Sequence, residues 1–133
     1  MTRHDATHPH VAALLSQHIN SVEQLEILLL LRRCSDRSWD AAAVAEELRT
    51  SEGSAAKRLD DLRAGGLVAE SSESGQAYHY APSSQWKRAA VDKLADLYAE
   101  APFRVIDMIF AKPIANLRVY ADAFRYRKDE SDG

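Results

Sequence analysis

The sequence predicts a mainly helical fold with one small β-hairpin, and three observations support this class. Apolar residues recur every three or four positions along most of the 133-residue chain, as on the buried face of an amphipathic helix. Ser or Asp stands immediately before several of these stretches, where its side chain can cap a helix. One segment, Gln76 to Pro82 (QAYHYAP), alternates like a β-strand and follows the turn-forming sequence SSESG. We therefore expect helices along most of the chain, interrupted by one hairpin.

Four helices are expected before the hairpin. The first covers residues 10 to 19, and the second opens at Ser21, whose spacing to Gln24 has the form of a capping box. Asp40 is the expected N-cap of the third helix, and Ser51 is that of the fourth, which ends at a Gly-Gly pair. The fourth helix should bury a stripe formed by Ala55, Leu59 and Leu62.

The order of these elements resembles a winged helix-turn-helix domain of the bacterial transcriptional-regulator type. The resemblance lies in DAAAVAEELRTSEGSAAKRLDDLRAGGLV followed by AESSESGQAYHYA, and within it in Leu59, Leu62, Gly66, Leu67 and Val68. It implies that the helix after Ser51 is a recognition helix whose first two turns enter the major groove of DNA. The implied function is that of a DNA-binding regulator.

The resemblance places candidate DNA contacts on the first turns of the helix after Ser51. Lys57 and Arg58 would reach guanine edges or phosphates, and Ser54 would donate to a phosphate. A later helix, starting at Gln85, brings two more cations beside the hairpin. The full set of candidate DNA-binding residues is Ser51, Ser54, Lys57, Arg58, Lys87 and Arg88.

The charge of the same region argues against strong DNA binding. Residues 40 to 82 contain four basic and eight acidic side chains, and the hairpin tip carries Glu70 and Glu73 without a cation. Phosphate neutralisation supplies most non-specific affinity for DNA, so this region should bind DNA weakly by itself. A second hypothesis therefore stays open, in which the acidic face docks a basic protein partner and DNA is not bound.

The region from 83 to 127 is predicted to be helical and to form a homodimer. The long helix predicted there carries two apolar faces, so it needs two packing partners. One partner can be the core, and the other can be the same helix of a second chain. The alternative partner is a final helix starting at Pro113, which would leave a monomer; Pro102 should kink the long helix or divide it in two. The heptad seam, predicted to mediate the dimer, consists of Val91, Leu94, Tyr98, Val105 and Met108. The second stripe consists of Phe103, Ile106 and Phe110, and the final helix carries Ile114, Leu117, Ala121 and Phe124 on one face.

Composition limits the classes of partner, cellular location and chemistry that we expect for the chain. The net charge of −3 gives no general attraction to nucleic acid or membranes, and the longest apolar run, residues 27 to 31, is too short to span a bilayer. A single cysteine, Cys34, cannot form an internal disulfide, which favours a cytoplasmic protein. The sequence carries no motif for catalysis, a cofactor or a metal site, so we expect none of these. Residues 1 to 9 and 128 to 133 are expected to be disordered tails around a domain at 10 to 82 and the helical region.

The hairpin strand raises one further expectation. Tyr78 and Tyr80 alternate with His79, so the two tyrosines and the histidine should lie on opposite faces of the strand. We expect the tyrosines to face the core and His79 to face outward, without a catalytic role.

Overall fold

The computed structural model describes residues 9–71 and 76–111, and the statements below concern these residues. Within them the chain is mainly helical, with a small three-stranded antiparallel sheet, which confirms this part of the predicted fold class. The elements are α1 (Pro9–His18), α2 (Val22–Arg33), β1 (Trp39–Asp40), α3 (Ala41–Leu48), α4 (Glu52–Ala64), β2 (Val68–Glu70), β3 (Ala77–Tyr80), α5 (Gln85–Glu100) and α6 (Pro102–Ala111).

Helix starts follow the capping residues that the sequence predicts. The side chains of Ser21, Asp40 and Ser51 each accept a hydrogen bond from the backbone N–H three residues later, at 3.1, 2.8 and 3.1 Å. Each bond satisfies one of the N–H groups that the first turn of a helix leaves unpaired. The predicted N-caps of α2, α3 and α4 are therefore confirmed.

Gln24 plays a different part from the one expected in a capping box. It is completely buried, and its Oε1 accepts from the backbone N–H of Asn20 at 2.8 Å rather than from that of Ser21. Its Nε2 donates to the backbone carbonyl of His18 at 2.7 Å. Because a buried amide must find partners for both its donor and its acceptor, Gln24 ties the end of α1 to the start of α2.

The sheet has the order β1-β3-β2, so the second hairpin strand is its centre. Trp39 of β1 pairs with Tyr78. The two-residue strand β1 is too short to show an alternating pattern in the sequence. Tyr78 and Tyr80 pack against the core, as predicted. His79, which alternates with them, is only partly exposed, and its Nδ1 is shielded from solvent.

One hydrophobic core extends through the N-terminal and C-terminal parts of the described chain. Helix α1 packs against α5 and α6, and the fully buried side chains of Leu14, Leu28, Leu59, Leu94 and Val105 belong to one cluster. The boundary predicted between residues 82 and 83 therefore does not divide the core.

The residues predicted to form a dimer seam pack into this core within one chain. Val91, Leu94 and Val105 have no exposed surface, and Met108 is half-buried against the same cluster. Tyr98 is also half-buried. A 3-4 spacing describes any helix with one buried face, whether its neighbour is a second chain or its own core. Val91, Leu94 and Val105 are therefore not available for an interface between copies of the folded chain.

The proline within the seam divides the predicted long helix in two. Helix α5 ends at Glu100, and the backbone of Ala101 has φ −144° and ψ 70°, outside the helical region. Helix α6 then begins at Pro102, whose missing N–H costs nothing at the first position of a helix. The second predicted stripe on α6 is left largely open, with Phe103 79% and Phe110 72% exposed.

Several predictions fall outside the described residues. These are the tails at 1–8 and 128–133, the hairpin-tip residue Glu73, and the final helix from Pro113 with its apolar face.

Candidate nucleic-acid interface

Helix α4 presents one face to solvent beside the sheet. Its buried stripe is Ala55, Leu59 and Leu62, as predicted, and this stripe packs on the core. The opposite face is exposed and includes the small residues Gly53 and Ala56. Charged residues border these small ones, namely Glu52, Lys57 and Asp60.

The carboxylate of Glu23 on α2 accepts hydrogen bonds from two of the candidate DNA-binding residues. Glu23 Oε1 accepts from Ser54 Oγ at 2.6 Å and from Arg58 Nε at 3.1 Å. Thr50 Oγ1 donates to the other oxygen of the same carboxylate. The predicted outward orientation of Arg58 is therefore wrong: only 26% of its side chain is exposed, and its guanidinium is paired with Glu23.

Hydrogen bonding favours the ionised form of this carboxyl group. The bonds from the Ser54 and Thr50 hydroxyls hold the pKa of Glu23 below its usual range, partial burial opposes them, and Arg58 adds to the lowering. Glu23 is thus a charged anchor that joins α2 to the turn before α4 and to α4 itself. Sequence analysis did not identify it, because a glutamate in the first turn of a helix has no pattern that reveals a contact more than thirty residues away.

Two other predicted contacts on α4 stay at the surface. The side chain of Lys57 is 70% exposed, and its Nζ lies 3.9 Å from Asp61 Oδ2 on the next turn. Ser51 is exposed, and its Oγ accepts the capping hydrogen bond from the Ser54 backbone. Lys57 is therefore the one candidate cation on α4 that the fold leaves extended into solvent.

Of the two candidate cations on α5, Lys87 is hydrogen-bonded within the protein and Arg88 is exposed. Lys87 Nζ donates to the backbone carbonyl of Gly65 at 2.8 Å and lies 3.3 Å from Ser83 Oγ. Its ammonium group thus caps the C-terminal end of α4, where unpaired carbonyls carry partial negative charge. Two of the three N–H donors of Lys87 are thus directed at the protein itself. Arg88 is exposed, with its guanidinium 5.8 Å from the centroid of the Tyr80 ring.

A groove of about 320 Å³ runs along the exposed face of α4. Its walls come from the start of α3, from α4 and from β3, and its charged groups are the carboxylates of Asp40 and Glu52. The phenol of Tyr78 and the amide of Gln76 add polar groups, and alanines form most of the remaining wall. The groove therefore combines a shape that admits a side chain with an acidic lining.

The hairpin beside this groove does not restore positive charge. Glu70 at the end of β2 is exposed. On α4, the guanidinium of Arg63 is paired with the carboxylate of Asp60, with a nitrogen–oxygen distance of 2.7 Å. The described residues contain no group of three or more side chains arranged to hold a metal ion. Among the described helices none is long and apolar enough to cross a bilayer.

Comparison with known proteins adds nothing to this geometry. No family model, no curated protein and no solved structure matches the chain. The function of the α4 face therefore has to be inferred from its own shape and charge.

Proposed function

We propose that the chain is a winged helix-turn-helix protein of the cytoplasm that binds duplex DNA through α4 and regulates transcription. The observation that carries the proposal is the exposed face of α4, where Gly53 and Ala56 leave the backbone accessible beside the projecting cation Lys57. A helix with small residues on its outer face can enter the major groove closely, and a lysine at its margin can reach a guanine edge or a phosphate. The sequence α3, short turn, α4, hairpin provides the support that this docking mode needs.

The charges define what kind of binding is expected. Arg58 and Lys87 are engaged within the protein, so Lys57 is the main cation available on the α4 face, and Arg88 is an exposed cation on α5. Each phosphate contact contributes a slope of about −0.9 in a plot of log K against log salt concentration. We expect a total slope of about −1 to −2, which is shallow for a DNA-binding protein. The dimer clamp predicted from the heptad seam is not part of this proposal, because that seam is buried.

Fluorescence anisotropy on a labelled duplex pool, at low and at physiological salt, tests the proposal. The variants are Lys57→Ala and, as the matched control, Lys93→Ala, which removes an exposed lysine two turns beyond Lys87 on α5. Lys57→Ala should weaken binding several-fold and reduce the salt slope by about one contact, whereas Lys93→Ala should change neither. Absence of wild-type binding at low salt, or equal losses in the two variants, would contradict the proposal.

The acidic groove favours a second candidate function, the docking of a basic peptide segment. Two carboxylates, Asp40 and Glu52, line this groove, and none of the described residues that line it is a cation. A lysine or arginine side chain of a partner would supply that charge, with Tyr78 packing against its aliphatic part.

The double variant Asp40→Asn with Glu52→Gln tests this candidate. Asparagine still caps a helix, so both charges are removed while the start of α3 is preserved. Binding of a short arginine-rich peptide, measured by calorimetry, should fall at least ten-fold in the variant. The control is the double variant Glu46→Gln with Glu47→Gln. Both residues lie on α3, the helix that Asp40 caps, but outside the groove, so peptide binding should be unchanged.

A further inference from the structure

Two exposed arginines outside α4 lie over aromatic rings of the sheet. The Cζ atom of Arg37 lies 3.7 Å from the centroid of the Trp39 ring. The Cζ atom of Arg88 lies 5.8 Å from the centroid of the Tyr80 ring. We call Arg37 and Arg88 the arginine pair. A guanidinium group is attracted to the face of an aromatic ring, so these contacts hold each cation in place and leave its N–H donors available in the guanidinium plane.

The pairing of β1 with β3 brings the two rings together. Trp39 and Tyr78 are partners across these antiparallel strands. Tyr80 is two residues further along β3, so it lies on the same face of the sheet as Tyr78 and diagonally opposite Trp39. Side chains in this diagonal relation lie about 7–8 Å apart. The two guanidinium groups therefore lie over neighbouring rings and belong to one surface.

Neither member of the arginine pair is neutralised within the described part of the chain. No carboxylate there forms an ion pair with either guanidinium group. The carboxylate of Asp92 is engaged by Arg32, whose Nε and Nη2 both donate to Asp92 Oδ1, at 3.2 and 3.1 Å. The Nε of Arg37 donates to the backbone carbonyl of Ser38 at 3.4 Å, which leaves the N–H groups on its two terminal nitrogens for a ligand.

The surface around the arginine pair is positive, although the chain as a whole carries a net charge of −3. Asp36, beside Arg37 in the sequence, is also exposed, so two unpaired cations accompany one carboxylate. A planar guanidinium group can donate two parallel hydrogen bonds to a phosphate. Because the rings hold both arginines before a ligand arrives, less side-chain entropy is lost on binding.

Tyr78 connects this surface to the α4 face. It pairs with Trp39 across the sheet and also lines the groove along α4. A duplex whose major groove, about 12 Å wide, receives α4 extends beyond that helix and meets the neighbouring surface of the protein. Duplex DNA carries one phosphate charge per about 1.7 Å of its axis, so each of two adjacent cations can meet a phosphate.

We propose that the arginine pair binds the phosphate backbone of the duplex that α4 enters. This inference rests on the DNA binding proposed above and extends it to a second surface, formed by β1, β3 and α5. Arg88 is a candidate from the sequence, whereas Arg37 precedes β1 in a stretch without a pattern that indicates binding. Phosphate contacts carry no sequence information, so the arginine pair supplies affinity and orientation while α4 supplies the contacts to bases. Arg37 thus adds one phosphate contact to those of Lys57 and Arg88.

A salt titration of the anisotropy of the labelled duplex tests the proposal. The double variant Arg37→Gln with Arg88→Gln removes both charges and keeps long side chains over the rings. It should weaken binding at least ten-fold at low salt and reduce the magnitude of the salt slope by about 1.8, which is two contacts of about 0.9 each. The matched control is Arg104→Gln, which should change neither quantity. Arg104 is on α6, which starts where α5 ends, about 18 Å of helix away from Arg88.

The double variant Arg37→Lys with Arg88→Lys keeps both charges and should retain the wild-type salt slope. Unchanged binding in the glutamine variant, with Lys57→Ala still weakening it, would overturn the role of the arginine pair and leave the proposed function standing. Loss of binding in the glutamine variant with no effect of Lys57→Ala would support the arginine pair and contradict docking through α4. Absence of wild-type binding at low salt would overturn both.

Chemical labelling of the unchanged protein provides a second measurement that does not depend on the folding of a variant. Phenylglyoxal modifies accessible arginines, and peptide mapping by mass spectrometry gives the rate at each position. A bound duplex should slow the modification of Arg37 and Arg88 at least several-fold and leave that of Arg104 unchanged, because phosphates cover only the first two. Equal protection of all three arginines, or protection of none by a saturating duplex, would overturn the proposal.

Discussion

Glu23 shows how one side chain can set the charge of a whole surface. Its carboxylate receives hydrogen bonds from Thr50, Ser54 and Arg58, which lie on the turn before α4 and on α4 itself. These bonds fix the position of α4 against α2, and they also remove one guanidinium from the face that would meet DNA. Because only about a quarter of the Glu23 side chain is exposed, the contacts are partly shielded from solvent.

Glu23→Gln should destabilise the protein at neutral pH and make its stability less sensitive to acid. The folded-state pKa of Glu23 is lowered, so its contribution is fully present above the ordinary glutamate pKa of 4.5 and is lost as the pH falls through the folded value. We expect a loss on the order of 1–2 kcal/mol at pH 7, since a carboxylate that accepts three hydrogen bonds is replaced by an amide that accepts fewer.

Urea unfolding at pH 7 and at pH 3 measures this difference. Glu47→Gln is the control, because that exposed glutamate has no hydrogen bond or ion pair within the described part of the chain. The difference between Glu23→Gln and wild type should shrink toward zero at pH 3. A constant difference at both pH values would mean that the charge of Glu23 is not what stabilises the contact.

The end of α4 is an element whose conformation depends on glycine. Gly66 has a φ of +76°, and the N–H of Leu67 closes the turn on the carbonyl of Leu62 at 3.0 Å. A Cβ at Gly66 would lie 2.6 Å from Ser83 Oγ and 2.8 Å from Lys87 Nζ. The chain therefore needs glycine here both for the left-handed backbone and for the close packing of α5 against this turn.

Gly66→Ala should cost on the order of 1–2 kcal/mol of stability, because a left-handed conformation and a steric contact are imposed together. Gly53→Ala on the same helix is the matched control. Nothing lies within 4 Å of a Cβ there, and alanine is the better helix former, so stability should rise slightly or stay unchanged. Thermal unfolding of both variants tests the contrast, and a similar loss in both would show that the geometry of the turn is not the cause.

At the scale of the whole molecule, α1 unites the N-terminal and C-terminal parts of the described chain. It packs against both α5 and α6, so the C-terminal helices are part of the same core as α2 to α4. This arrangement explains why Val91, Leu94 and Val105 are completely buried in a single chain. A change in the seam should therefore affect folding and not the number of subunits.

Leu94→Ala should reduce the free energy of unfolding by about 2–5 kcal/mol, the range for removing a fully buried leucine side chain. Lys93→Ala, its exposed neighbour, is the control and should change stability by less than about 0.5 kcal/mol. Urea unfolding gives the energies, and sedimentation of the folded variants gives their mass. A folded Leu94→Ala protein with unchanged stability and an altered mass would restore the dimer interpretation.

The sequence by itself determined the local structure of the described chain. The caps at Ser21, Asp40 and Ser51, the buried stripe of α4 and the break at Pro102 all depend on interactions within a few residues, so their patterns are visible in the chain. The alternation of Tyr78 and Tyr80 also predicted their inward face.

Only the tertiary structure decided which candidate residues are available for binding. Arg58 is paired by a glutamate more than thirty residues earlier, Lys87 is bound to the end of α4, and the heptad seam is covered by the core. Periodicity shows that a helix face is buried but not what buries it, and charge composition shows which cations exist but not which carboxylate holds each of them. Both depend on contacts between residues distant in sequence. The exposure of Lys57 on α4, and of Phe103 and Phe110 on α6, is therefore established only by the folded chain.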